Sequence, residues 1–289
     1  RHQSPGDAKG AYGVKAPVNK IIPVSVVDGP GNRTAVFLQG CNISCAYCHN
    51  PETQKLCTGC GICVDGCPAG ALALNGKTVS WDEKKCVSCD RCIAVCPNYA
   101  SPKIREMSAE EVFEEVSGNL PFIRGITVSG GECCLYPEFL KELFGLCKEA
   151  GLSCLIDSNG MVDFSLYPEL LELSDGVMLD VKSWDPEVYR RLTGADNAVV
   201  KKNLELLWRK NKLEEIRIVC LSGESDYEEV LRGIAGLMGS PVTARVKLIR
   251  FRPFGVRGRL SGASEPDDRV MQELAAWAGE MGYRNVVLT

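Results

Sequence analysis

Two runs of cysteine with a single spacing constrain this chain more than anything else in it. Cys57-x2-Cys60-x2-Cys63-x3-Cys67-Pro68 returns as Cys86-x2-Cys89-x2-Cys92-x3-Cys96-Pro97. A segment this short cannot bury enough apolar surface to fold unaided, so its thiols must be held by metal or by each other. Eleven of the sixteen cysteines of the 289-residue chain fall between Cys41 and Cys96. A secreted disulfide framework would spread its cysteines and follow a signal peptide. Residues 1–16 are instead polar and Gly-rich and read as a flexible tail, and no run approaches the ~18 apolar residues that span a bilayer. The expected setting is a reducing cytoplasm, away from membranes, where clustered thiolates bind metal.

The repeated spacing is that of bacterial two-cluster ferredoxins, in which three thiolates surround one cubane and the fourth crosses to the other. It assigns Cys57, Cys60, Cys63 and Cys96 to one [4Fe–4S] cluster and Cys67, Cys86, Cys89 and Cys92 to a second. A zinc ribbon is the alternative, since paired CxxC motifs also ligate zinc; eight cysteines with both trailing prolines favour the clusters. A third set, Cys41-x3-Cys45-x2-Cys48, offers only three thiolates. A cubane there keeps one iron open to a small molecule. A truncated ferredoxin motif would have two residues, not three, in the first gap.

Around this insert the pattern changes. Before it, IIPVSVVDGPGNRTAVFLQG reads as strand, turn and strand about Asp28-Gly29-Pro30-Gly31. After it, Ser108-x-x-Glu111 is a capping box, and short apolar strands then alternate with amphipathic helices to the end. About six βα units imply a parallel α/β sheet, a partial (β/α)6 TIM-like barrel carrying an inserted two-cluster ferredoxin-like domain. The expected divisions are residues 1–16 tail, 17–52 first part of the barrel, 53–103 insert and 104–289 the remainder. A net charge of −4 argues against nucleic acid as the partner, and two histidines, His2 and His49, exclude His-based triads and multi-His metal sites.

The CxxxCxxC set, with Tyr47 before its last cysteine, resembles the hallmark of the radical S-adenosylmethionine (SAM) superfamily. VDGPGNRTAVFLQGC, CHNP, Ser129-Gly130-Gly131-Glu132, Asp157-Ser158-Asn159-Gly160 and Met178-Leu179-Asp180-Val181-Lys182 together resemble the glycyl radical enzyme activases, most closely their ferredoxin-containing, YjjW-type subgroup. The resemblance implies an oxidoreductase whose first cluster, at Cys41, Cys45 and Cys48, cleaves SAM to a 5′-deoxyadenosyl radical. That radical takes hydrogen from a backbone glycine of a cognate glycyl radical enzyme, with flavodoxin or ferredoxin as reductant and the activase acting as a monomer. It further implies that Gly130, Gly131 and Glu132 bind the methionine amino group, and that Asp157, Ser158, Met178 and Asp180 hold a monovalent cation (Na+ or K+) beside the SAM carboxylate. Val181 belongs to the same cofactor-binding stretch, Lys182 offsets negative charge, and Tyr47 and His49 line the adenosine side.

Two departures leave readings open. Cys133-Cys134 stand where the family often has proline, as a fourth cluster ligand or as tolerated small residues, and Arg252 stands where related activases often place a SAM-contacting histidine. Arg250, Arg252, Arg257 and Arg259 either grip an anionic partner loop or form a solvated loop, and His49 is either a ligand contact or a packed histidine. Cys147, Cys154 and Cys220 fall on apolar faces, where a buried unligated thiol is the default. A radical SAM maturase with auxiliary clusters, or a pure electron-transfer protein, is the competing function. The latter leaves the GGE, DSNG and DVK motifs without a role.

Overall fold

The computed structural model describes residues 13–289. β1 (Lys15–Ser25) and β2 (Arg33–Leu38) pair antiparallel around the Asp28–Gly31 turn. The cysteine-rich segment follows, with two one-turn helices, α1 (Ile62–Asp65) and α2 (Arg91–Ala94), and a hairpin of β3 (Leu72–Asn75) and β4 (Thr78–Trp81). β5 (Arg105–Ser108) returns the chain to the main sheet beside β1. Its last residue caps α3 (Ala109–Ser117): Ser108 Oγ accepts from Glu111 N, and the Glu111 carboxylate accepts from Ser108 N. Strand and helix then alternate. They run β6 (Gly125–Gly130), α4 (Pro137–Glu149), β7 (Ser153–Ser158), α5 (Pro168–Leu173), β8 (Gly176–Asp180), α6 (Pro186–Thr193) and α7 (Ala198–Arg209). β9 (Leu213–Cys220), α8 (Tyr227–Met238), β10 (Arg245–Arg250), α9 (Asp268–Glu280) and β11 (Val286–Leu288) complete the chain.

Among the described residues the main sheet has nine strands in the order β5-β1-β2-β6-β7-β8-β9-β10-β11, parallel from β2 onward and open at both edges. Each successive βα unit adds its strand on the same side, as right-handed crossovers require. No helix among the described residues is long and apolar enough to cross a membrane.

Side chains alternate across these strands. Val177, Leu179 and Val181, with Ile216, Ile218, Val246 and Leu248, join the core against the helices. Their neighbours Met178 and Asp180, then Glu215, Arg217 and Val219, then Arg245, Lys247 and Ile249, fall on the opposite face. That inner face is therefore charged. Beneath it the β1–β2 turn is tied in place, because Thr127 Oγ1 donates to Asp28 O at 2.6 Å and buried Arg33 donates to Ile126 O and Ser153 O.

Two details differ from expectation. Residues 1–12 of the expected tail lie outside the described residues, but Lys15 and Ala16 are already in β1, paired with Ser108 and Met107. β5 itself was not anticipated. Four residues leave no periodicity to read, and Pro17 and Asn19 disguise the strand it pairs with.

Candidate active site

The first cysteine set stands on the loop after β2, pinned from both sides. Gly40 N and Cys41 N donate to Thr53 O and Gln54 O, each at 2.8 Å, while Ser44 N and Ala46 N donate to Thr193 O and Leu192 O at the end of α6. Cys41, Cys45 and Cys48 then form one wall of a cleft of about 200 Å3. The facing rim is built from the C-terminal ends of β6, β7 and β8, with Arg217 from the middle of β9: Ser129, Gly130, Gly131, Asp157, Ser158, Asn159, Asp180 and Lys182 stand beside it. Strand C-terminal ends are where βα folds place their chemistry. Tyr47 and His49 close the side, with the His49 ring 6.2 Å from that of Phe251.

Glycine is required at the rim. A Cβ on Gly130, which sits at φ +122°, would lie 2.1 Å from the Leu38 carbonyl oxygen, and one on Gly131 would lie 2.2 Å from that of Gly40. The backbone there packs directly on the end of β2 and on the cysteine loop.

Burial governs the titration of the wall. It pushes the Cys41 thiol up to about 11 and Cys45 up to about 12. Without metal these are neutral thiols at pH 7, so iron entering the loop must release protons. Burial also pulls the Lys182 ammonium down, but Asp180 at 2.7 Å, Cys45 and Tyr47 together outweigh it and hold Lys182 above its ordinary value. Asp157 rises by burial, against the pull of Arg217 at 2.8 Å.

A family model of the radical SAM superfamily matches residues 35–232. The choline trimethylamine-lyase activating enzyme of Oleidesulfovibrio alaskensis is 32% identical over 76% of this chain and 77% of that one. The chain belongs to the radical SAM superfamily and, within it, to the glycyl radical enzyme activating enzymes. The indoleacetate decarboxylase activating enzyme of Tractidigestivibacter scatoligenes is 29% identical over 91% of this chain and 94% of its own length. Among solved structures, QueE of Escherichia coli superposes with a TM-score of 0.55 over 95% of this chain and 94% of that one; at 15% identity the likeness is one of fold alone.

The residues of this radical SAM chain fit a cluster and SAM at the first loop. Three thiols face the cleft, and the buried Tyr47 hydroxyl has no hydrogen-bond partner among the described residues. Not every expected contact faces the cleft, however. Glu132 turns away into the protein, where its carboxylate accepts from Cys134 N, Ser158 Oγ and Asn159 N at 2.8–3.0 Å and ties β6 to β7. Of this motif, Gly130 and Gly131 line the cleft and Glu132 does not. Val181 packs in the core, and the side chain of Arg252 is exposed outside the cleft. Cys133 and Cys134 are buried in the core, away from the cleft, so neither is placed as a fourth ligand.

The expected cation set is largely engaged already. Met178 Sδ accepts from Arg217 Nη2 at 3.2 Å, and Ser158 Oγ donates to Glu132. Only Asp157 Oδ1 and Asp180 Oδ1 make no hydrogen bond among the described residues, the other oxygen of each being held by Arg217 and Lys182 respectively. Of the loop arginines, Arg250 bonds Asp268 and Pro266 O, Arg257 donates to Ile93 O and Arg259 to Glu224. These three are spent inside the chain. Cys147, Cys154 and Cys220 are buried.

Sequence reasoning missed Arg217 and Asn159. Asn159 lines the cleft and donates to Asn42 Oδ1 at 2.9 Å and towards Cys41 Sγ at 3.5 Å. Arg217 bridges Asp157 and Glu215, each at 2.8 Å. Its signal was available: EIRIVC alternates polar with apolar in a strand that a fully buried parallel sheet would make apolar throughout.

In the insert the cysteines divide into two pockets, one lined by Cys57, Cys60, Cys63 and Cys96, the other by Cys67, Cys86, Cys89 and Cys92. Its apolar core is little more than Cys63, Leu72 and Val79. Trp81 Nε1, buried without a partner among the described residues, lines the second pocket. The only three metal-ligating atoms gathered within 4.8 Å of one another among the described residues are those of Glu132, Cys133 and Cys134.

Proposed function

We propose that this enzyme reductively cleaves SAM and uses the product radical to oxidise one glycine of a partner glycyl radical enzyme. The observation that carries the reading is the cleft itself. Three thiols of an open-iron motif face two glycines, two carboxylates and a lysine, on a chain whose relatives are activating enzymes. A cluster held by Cys41, Cys45 and Cys48 would supply the single electron for reductive cleavage of the S–C5′ bond of SAM, with methionine as one product and 5′-deoxyadenosine, carrying the hydrogen atom from the glycine Cα, as the other.

The chain's own groups would do the rest. Cys41, Cys45 and Cys48 would hold the cluster by three thiolates, and the backbone at Gly130 and Gly131 would admit the methionyl amino group closely. Lys182 meets its carboxylate while Asp180 fixes the ammonium. A monovalent cation, if bound, would sit on Asp157 Oδ1 and Asp180 Oδ1. Tyr47 and His49 border the adenosine. A partner glycine suits the cleft because a residue without Cβ approaches closely. Reducing the protein in the presence of SAM should release methionine and 5′-deoxyadenosine in equal amounts. A merely electron-transferring protein would release neither.

The sheet reads as a partial (β/α)6 barrel, and the insert as a two-cluster ferredoxin-like domain of the ferredoxin-containing subgroup, for three [4Fe–4S] clusters in all. We read the insert as a relay from a flavodoxin or ferredoxin in the cytoplasm. Removing one ligand from each insert cluster, Cys60 and Cys89, should leave 5′-deoxyadenosine formation intact with a strong chemical reductant but slow it sharply with flavodoxin. Equal rates with both reductants, in a variant that keeps its first cluster, would reduce the insert to docking or stability.

A further inference from the structure

The two halves of the insert repeat in backbone as well as in sequence. Gly59 N donates to Cys57 Sγ as Ser88 N does to Cys86 Sγ, both at 3.4 Å, and Ala71 N and Ala100 N donate to Cys67 and Cys96 Sγ at 3.3 and 3.4 Å. Three left-handed positions recur 29 residues apart: Gly59 (φ +67°) with Ser88 (+53°), Gly61 (+79°) with Asp90 (+54°), and Gly70 (+57°) with Tyr99 (+50°). A bulky aromatic residue in this region is strained, and such strain persists where the surroundings hold it. At Gly70 a Cβ would meet nothing within 4 Å, whereas the second half carries a large ring.

That ring reaches toward the active site. The Arg257 guanidinium, from the loop after β10, lies 4.6 Å from the Tyr99 ring centroid and donates from Nη2 to Ile93 O at 2.9 Å. Tyr99 and Arg257 line a cavity of about 210 Å3 whose other wall includes Cys45 and Cys48 of the first loop. Tyr99 follows Cys96 by three residues, and the chain enters the same cysteine pocket at Cys57, two residues after Lys55, which lines the same cavity. The pocket of Cys57, Cys60, Cys63 and Cys96 is thus joined to the first cysteine loop through Lys55 on one side and, on the other, through Ser101 N, which donates to Glu52 O at 3.0 Å, while Tyr99 and Arg257 stack across the cavity between them.

We propose that the Tyr99–Arg257 stack is the joint that sets the spacing between the insert cluster at Cys57, Cys60, Cys63 and Cys96 and the first cluster at Cys41, Cys45 and Cys48, and that this insert cluster is the immediate electron donor. The proposal rests on the three-cluster reading above. One electron enters from a low-potential donor protein; the reduced insert cluster is oxidised by one electron as the first cluster is reduced by one, and no proton or bond is exchanged between them. Tyr99 and Arg257 are positioning residues, not ligands.

The test uses anaerobically loaded full-length protein and reduced flavodoxin, with rapid-freeze electron paramagnetic resonance (EPR) to follow each cluster; SAM addition identifies the first one by its shifted spectrum. In Tyr99→Gly, which relieves the backbone strain and so leaves the insert able to fold, and in Arg257→Ala, the insert clusters should reduce at the wild-type rate. Reduction of the first cluster should lag by about tenfold or more, the scale on which small displacements of reacting centres act. The spin–spin broadening between it and the insert should diminish, and Tyr99→Phe, which keeps the ring, should restore both. Unchanged first-cluster kinetics and broadening in Tyr99→Gly and Arg257→Ala would overturn the joint. If iron analysis finds only the first cluster in the wild type, the three-cluster reading fails and the joint falls with it.

Discussion

Replacing Cys41, Cys45 and Cys48 together with alanine should reduce 5′-deoxyadenosine formation to background and remove about four of about twelve irons per chain. The insert clusters should survive, because their eight cysteines line separate pockets and contribute nothing to the first loop. Folding should survive as well. The loop is held by backbone bonds from Gly40, Cys41, Ser44 and Ala46 to Thr53, Gln54, Thr193 and Leu192, none of which uses a thiol. Iron analysis, EPR and product chromatography on one preparation decide the matter. SAM cleavage that outlived the triple change would place the reactive cluster elsewhere.

The second large effect falls on stability. Arg217→Met leaves Asp157 and Glu215 on the inner face without the guanidinium that pairs with both at 2.8 Å. Glu215 keeps Arg245 at 3.0 Å, but Asp157 keeps only the hydroxyl of Ser129. Stranding a buried carboxylate costs about 3–5 kcal/mol, so the urea midpoint of the anaerobic protein should fall accordingly. The loss should depend on pH with a definite sign. Burial already raises Asp157, and loss of Arg217 raises it further. A carboxyl whose folded value lies above its unfolded one favours the fold while neutral, and that contribution is lost as pH rises through the folded value. The deficit of the variant should therefore be small in acid and grow toward neutrality, and adding Asp157→Asn should recover much of it. A deficit independent of pH would show that packing around Met178, not charge, is what Arg217 supplies.

Much of this site can be read along the chain, and the reason is covalent. Cysteines three and four residues apart on one loop must share a neighbourhood, and motifs such as DSNG and DVK ending successive strands of a parallel sheet must meet at one edge. The division of the insert cysteines into two pockets follows from the same local repetition. What local sequence does not show is the direction in which a side chain leaves a turn. Gly130 at φ +122° swings Glu132 behind the strand ends, where it bonds Ser158 and Asn159 instead of lining the cleft. Nor do motifs show which groups have already spent their charge. Arg217 lies 60 residues from Asp157, and only the pairing of β7, β8 and β9 brings them together. Tyr99 was hidden for a third reason: its strain is apparent only against Gly70 in the other half of the repeat.

The central claim is that hydrogen leaves a glycine Cα of another protein and arrives on the 5′ carbon of SAM. Candidate glycyl radical enzymes from the same organism, prepared with deuterated glycine, should each be incubated anaerobically with the loaded, reduced protein and SAM. With the cognate partner, a glycyl EPR signal should appear on the partner, and mass spectrometry should find deuterium in the 5′-deoxyadenosine formed. SAM cleavage with neither deuterium in the product nor a radical on any candidate would contradict the account.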